Sequence, residues 1–234
     1  DGWALTGQFD ATSVPTTIRG MIASRIDRLD AERRRILQEA SVIGREFLFT
    51  ILSQVSGGDA TLEDGLSALE SADLIRRRDV DADLEYLFKH ALTQEVAYSG
   101  LLRSKRHELH GRVAQAMEKL LGDRFREYAE SIAYHFQNSD TPERAVPYLV
   151  IAGKKAIERY ALPEAETHYR AAYEILLAQP ESAQRDHDLL EVIVEWSLLH
   201  YYTADIAAMN RLMKEHADLL ERVPDPELRG MWLM

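Results

Sequence analysis

The chain has 234 residues, long enough for one large domain or for two or three small ones with cores of their own. Hydrophobic residues make up 46% and charged residues 29%, and there is no cysteine, which excludes a disulfide framework and thiolate chemistry and argues against a zinc site. The formal net charge of −11 repels nucleic acid at long range and weakens non-specific DNA affinity. Apolar runs such as 192–194 and 198–199 fall far short of the roughly 20 residues of a membrane helix. No signal peptide is visible either, so a cytoplasmic location is expected. The first residues are Asp-Gly-Trp and the last Met-Trp-Leu-Met, and both ends read as cuts through a longer polypeptide. One stretch runs against the acidic balance: Arg76, Arg77, Arg78, Lys89, Arg103, Lys105 and Arg106 are close in sequence.

Residues 1–13 read as loop or strand, with Trp3 and Leu5 alternating with smaller residues. Val14-Pro15-Thr16 starts a helix, because a proline in the first turn gives up an N–H that has no helical partner there. Ile18, Met21, Ile22, Ile26 and Leu29 continue it at helical spacing. Asp30 is an N-cap for a second helix over 31–41 that Gly44 ends. A third helix is predicted over 47–55, closed by Gly57-Gly58, and a fourth over 61–72, capped by Thr61 with Glu63 and Asp64 in its first turn. Residues 74–78 and 84–88 carry the β signal, two short strands joined by a polar turn. Three helices followed by a two-stranded hairpin is the order of a winged helix. Helices resume over 89–101 and 104–121.

From about Arg126 onward the pattern is helical, with small residues recurring 12 apart: Ala133 and Ala145, then Gly153 and Ala165. Antiparallel helix pairs need such residues where their backbones approach. Gly153, Ala165, Tyr169 and Ala172 follow the spacing of the 34-residue tetratricopeptide pattern, with Leu149 before them and Pro163 at the turn. Residues 186–222 look like a more degenerate helix pair with Trp196, Leu199, Met209, Leu212, Met213 and Leu219 as its core. A single helical unit cannot bury its own apolar face, so stacking is implied.

Three segments in this order carry a resemblance. Residues 14–29, Val-Pro-Thr-Thr-Ile-Arg-Gly-Met-Ile-Ala-Ser-Arg-Ile-Asp-Arg-Leu, look like the end of the helical lid of a STAND-class P-loop ATPase. Residues 40–47, Ala-Ser-Val-Ile-Gly-Arg-Glu-Phe, resemble the start of that family's winged-helix domain. Residues 88–98, Phe-Lys-His-Ala-Leu-Thr-Gln-Glu-Val-Ala-Tyr, are similar to the signature that follows its wing. The group most resembled is the bacterial signalling proteins that join a class III adenylate/guanylate cyclase, a STAND ATPase and tetratricopeptide repeats. The resemblance implies a lid end over 1–29, a winged helix over 30–103, a bridging helix over 104–125 and repeats over 126–234. It also implies a switch: ADP with magnesium holds the resting state closed, and exchange for ATP releases an output domain. The nucleotide would be bound mainly by residues upstream, since the chain has no GxxxxGK[ST] loop and Gly153-Lys154-Lys155 is not one. No complete active site is expected in this piece.

The resemblance singles out His90, which in the family reaches the nucleotide's β-phosphate; the residues alone allow a histidine that caps or packs at a strand–helix junction. Lys89 is either a second phosphate contact or a solvated neighbour. Arg76–Arg78 read first as a charged edge strand, then as a docking face for the ATPase core, and last as a DNA contact. The predicted third helix of the winged helix carries Glu63, Asp64 and Glu70, which argues against reading DNA. His107 and His110, at i, i+3, suggest metal ligands but lack a third, and are taken as packing; His135 and His168 read as packing or surface residues. Tyr148, Tyr160, Tyr201 and Tyr202 are the expected partner-binding residues of the repeats, with core filling as the alternative fate of repeat tyrosines such as Tyr169. The expected whole is a mainly α protein: a winged helix with a small β-hairpin, then a tetratricopeptide-like α-solenoid. Its expected partners are the ATPase core and a protein or small-molecule inducer. Two other readings are a repeat scaffold without nucleotide and a winged-helix transcription regulator.

Overall fold

The structure, a computed structural model, describes residues 16–58, 61–80 and 83–233. The expectation for residues 1–13, and the Val14-Pro15 start of the first helix, lie outside the described residues. The chain divides into two compact units, 1–109 and 110–234. The molecule is mainly helical with one small three-stranded antiparallel sheet. Among the described residues no helix is long and apolar enough to cross a membrane.

The first unit opens with α1 (Thr16–Asp27) and α2 (Ala31–Ile43). Asp30 caps α2 by accepting a 2.9 Å hydrogen bond from the Arg33 N–H. Gly44, at φ 154°, ends it in a conformation that a side chain rarely adopts. The helix predicted over 47–55 starts later than expected. Glu46–Leu48 is a strand, β1, and the helix α3 (Phe49–Ser56) begins only after it. The physical reason is the ring of Phe47, which stacks on Tyr86 at 5.7 Å and lies 5.9 Å from Phe88. An extended backbone turns that ring inward while Glu46 stays exposed and Leu48 half-buried.

Next come α4 (Leu62–Ser71), β2 (Ile75–Val80), β3 (Asp83–Phe88) and α5 (Ala91–Ser99). The strand order is β1-β3-β2, so the expected two-stranded hairpin is the larger part of a three-stranded sheet. Thr61 occupies the N-cap position of α4, but its hydroxyl donates to the Glu32 carboxylate instead of capping. The core gathers one face of each element: Ile36, Leu37 and Ala40 from α2, Leu62, Leu66 and Leu69 from α4, and Phe47, Ile75 and Phe88 from the sheet. Glu39 is a buried carboxylate at 4% exposure; Arg35 binds it and the Ser56 hydroxyl donates to it at 2.7 Å. That pairing satisfies a charge that burial alone would not tolerate.

The long helix α6 (Arg103–Leu121) carries the division between the units. The second unit continues with α7 (Ala129–Gln137), a 3-10 turn (Pro142–Ala145), α8 (Val146–Glu158), α9 (Leu162–Leu177), α10 (Ala183–Tyr202), α11 (Ile206–Glu215), α12 (Leu219–Arg222) and α13 (Pro226–Leu233). Consecutive helices pack on one another, α7 on α8, α8 on α9, α9 on α10 and α10 on α11. Gly153 of α8 lies against the ring of Tyr169 of α9, so close that a Cβ there would sit 2.6 Å from its Cζ. Ala165 and Ala172 are fully buried on the same helix. In the last pair Trp196, Leu199 and Leu219 are buried, whereas Met209, Leu212 and Met213 of α11 are only half-buried.

Candidate functional site

The junction between β3 and α5 is built by three backbone bonds. Phe88 N–H donates to Arg45 O at 2.8 Å, Lys89 N–H to Leu74 O at 3.1 Å, and Thr93 N–H to His90 O at 2.9 Å. His90 therefore stands at the N-cap of α5, extended at φ −130° and ψ 132°, with an exposed side chain that makes no capping bond. No acidic residue lies in the first turn of α5, so the positive end of the helix dipole is not offset by a carboxylate of that turn.

Lys89 points elsewhere. Its ammonium binds both carboxylate oxygens of Asp73, the residue at φ 60° that turns the chain from α4 into β2. Arg25 of α1 reaches the same turn and donates to Ala72 O at 2.9 Å. The hydrogen bond from Lys89 holds the Asp73 carboxyl below its ordinary range. Partial desolvation opposes this, and the charges of Lys89, Arg25 and His90 add to it. The structure thus brings the charges of Arg25, Lys89 and His90 to bear on a single carboxylate, that of Asp73. The cluster holds no nucleophile paired with a base. Among the described residues, no group of three or more potential metal ligands forms.

Arg19 ties α1 to α5 through Glu95 at 3.1 Å, and Gln94 donates to Ser41 O at 2.7 Å. A small pocket of about 170 Å³ lies between α1, α2 and α5, lined by Ala23, Ile26, Arg34, Gln38 and Val96 among others. Arg34 donates to the carbonyls of Asp27 and Leu29. Along β2, Arg78 pairs with Glu85 at 3.3 Å and Glu46 at 3.8 Å, while Arg76 projects exposed.

In the second unit the four tyrosines differ in exposure. Tyr148 is half-buried: its hydroxyl donates to Glu118 at 2.7 Å and its ring stacks on Phe136 at 5.9 Å. Burial, and then the Glu118 carboxylate, push its phenol above the ordinary value. Tyr160 is 85% exposed at the end of α8, at φ 60°. Tyr201 and Tyr202 are exposed on the last turn of α10, where their rings meet edge to face at 6.1 Å. His107 lies in α6, His110 and His135 are both buried, and the Nδ1 atoms of the latter two are 2.9 Å apart, a packing hydrogen bond between α6 and α7. His168 sits one turn after Glu164 on α9.

A cluster missed in the sequence surrounds Trp196. Its indole N–H donates to Glu166 at 2.6 Å, Arg170 lies over its ring at 5.7 Å, Tyr173 meets it edge-on at 5.5 Å and His200 stacks at 5.8 Å. The Tyr173 hydroxyl and His216 Nε2 are 2.8 Å apart. Burial holds the His216 imidazole below its ordinary value, against the pull of Glu215 and Asp218, and Arg185 and Arg222 lower it further. The signal was present as i, i+4 pairs, Glu166 with Arg170 and Trp196 with His200, but such pairs are common on exposed helix faces.

No family model matches the chain, and no solved structure matches it. An uncharacterized protein of Rhizobium meliloti (strain 1021) is similar, with 26% identity over 169 residues. The similar segment covers 71% of this chain and 16% of the length of that relative.

Proposed function

We propose that this chain is the regulatory and interaction segment of an ATP-binding signalling protein of the STAND class, carrying a winged helix followed by tetratricopeptide-like repeats. The observation that carries the reading is the order of the first unit: α2, β1, α3, α4, β2, β3, with the strands arranged β1-β3-β2. That is the element order of a winged helix, here preceded by a helix and followed directly by α5 with His90 at its N-cap. The packing of Gly153 on Tyr169, with buried Ala165 and Ala172, supports the repeat reading of the second unit. The relative of which the matched segment covers only 16% is in keeping with a large multidomain parent.

In this reading the nucleotide, ADP or ATP with magnesium, is held mainly by an ATPase core outside this sequence. His90 and the dipole of α5 meet its phosphates, and Arg25 and Lys89 add positive charge. The repeats bind a protein or small-molecule inducer, with Tyr160, Tyr201 and Tyr202 as exposed aromatic contacts. The nucleotide state and inducer binding are coupled through domain rearrangement, and the output is a separate domain such as a class III nucleotidyl cyclase. The protein acts in the cytoplasm.

A repeat scaffold without nucleotide is the second reading, favoured by one observation: the Lys89 ammonium is already taken by Asp73. The exposed Glu63, Asp64 and Glu70 on α4 disfavour a DNA-reading regulator. The test uses the full-length parent purified without added nucleotide. Denaturation followed by chromatography should release stoichiometric ADP from the wild type, and less ADP, or ATP in its place, from His90→Ala. Folded protein that releases no nucleotide in either form would overturn the switch and leave the scaffold.

A further inference from the structure

The second unit carries a groove of about 490 Å³ between the end of α7 with its following 3-10 turn and the C-terminal half of α9. Its volume is in the range of sites that hold a small ligand or a few residues of a peptide. Ala171 and the half-buried Ile175 give it an apolar floor. Two carboxylates, Glu143 and Glu174, and two amides, Gln137 and Gln179, stand around that floor. None of these four side chains has a hydrogen-bond or ion-pair partner among the described residues. Glu118, Glu130, Glu164, Glu166 and Glu195 of the same unit are each paired with a cation, whereas Glu143 and Glu174 are exposed to solvent. Among the described residues that line the groove, none is basic.

We infer that this groove binds an extended basic peptide segment, one in which lysine or arginine alternates with small apolar residues. The chemistry is complementary at each point. Alternate side chains of an extended segment point to opposite sides, so small apolar residues can meet Ala171 and Ile175 while the cations between them reach Glu143 and Glu174. Amide side chains both donate and accept, so Gln137 and Gln179 match the N–H and C=O groups of the peptide backbone. Two unpaired carboxylates select positive charge and reject acidic segments of equal size. The inference stands apart from the nucleotide switch, because the groove uses neither the β3–α5 junction nor the exposed tyrosines.

The probe is a fluorescein-labelled, end-blocked pentapeptide, Ala-Lys-Val-Lys-Ala, titrated with the 234-residue chain and read by fluorescence anisotropy. Its counterpart with glutamate in place of both lysines is the control. The basic probe should bind, the acidic one should not, and raising the salt should weaken binding. Glu143→Gln and Glu174→Gln should each weaken it about threefold and together about tenfold, as expected for partly exposed ion pairs. Glu221→Gln removes the same charge from outside the groove and should leave it unchanged. Ala171→Phe fills the floor and should abolish binding while circular dichroism remains that of the wild type. Equal binding of both peptides overturns the proposal, as does equal weakening by Glu221→Gln, or absence of basic-probe binding up to about 2 mM.

Discussion

Replacing Gly153 by alanine sets two effects of opposite sign against each other. In the middle of α8, alanine is favoured over glycine by about 1 kcal/mol, because glycine loses more backbone freedom on folding. The new methyl, however, would lie 2.6 Å from Cζ, 2.7 Å from Cε1 and 3.0 Å from Cε2 of Tyr169. The obstacle is a planar ring, fully buried, so it cannot swing into solvent as the end of a lysine would. Relief requires α8 and α9 to separate or the ring to leave its rotamer, and overpacking of this kind costs about 1–3 kcal/mol. Because the clash spans three ring atoms, the upper part of that range applies, and Gly153→Ala should destabilise the second unit by a net amount of about 1–2 kcal/mol. That corresponds to a fall in melting temperature of about 4–8 °C for a unit of this size. Thermal unfolding followed by tryptophan fluorescence is a suitable assay, since Trp196 belongs to the same buried cluster as Tyr169. The decisive comparison is with Tyr169→Leu, where the ring is gone and the same alanine should be neutral or stabilising. A Gly153→Ala chain that melts at or above the wild type, or that loses as much in the Tyr169→Leu background, would mean that the ring does not exclude a side chain at position 153.

Two further outcomes rest on the buried charges of the second unit. Asp186 is 6% exposed and held by Arg185 at 2.8 Å and Arg222 at 2.9 Å, so Arg222→Ala should cost about 1–2 kcal/mol in urea unfolding; in an Asp186→Ala background the same change should cost measurably less, and equal losses would show that the pair contributes nothing. His216 has a folded pKa below its ordinary 6.5, so between the two values the unfolded chain binds more protons, and stability rises with pH through that window and is lost as pH falls through it. His216→Gln, which does not titrate, should flatten the dependence of the urea midpoint between about pH 7 and about pH 5, and an unchanged slope would exclude His216 as its source.

The sequence displays most clearly the features in which one residue type meets one local demand. Asp30 announces the start of α2 because its side chain accepts the Arg33 N–H three residues on, a contact wholly contained in the local sequence. Gly153 and Tyr169 were legible for a related reason: a close helix approach needs a missing side chain on one partner and a large one on the other, at a fixed separation. Phe47 is ambiguous in the sequence because two apolar residues before a helix, Phe47 and Leu48, read equally well as its first turn. Only the long-range partners Tyr86 and Phe88 make Glu46–Leu48 a strand, and they are about 40 residues away. The same limit explains Tyr148, whose acceptor Glu118 lies on another helix, and the Trp196 cluster, assembled from α9, α10 and the end of α11.

The candidate anion site shows the limit most sharply. Lys89 and His90 are adjacent in sequence, and composition alone gives them the same role. The fold separates them, because Lys89 closes β3 and finds Asp73 across the sheet edge, whereas His90 begins the next helix and faces solvent. Asp73 is set at φ 60°, so its carboxylate is positioned by the turn and not merely attracted to the lysine. An anion arriving at α5 therefore meets an ion pair already formed. It gains Lys89 only if it binds the ammonium more strongly than Asp73 does. The fold thus gives the two neighbouring residues different surroundings: Lys89 sits in an ion pair with Asp73, and His90 stands at the N-cap of α5 without a capping bond.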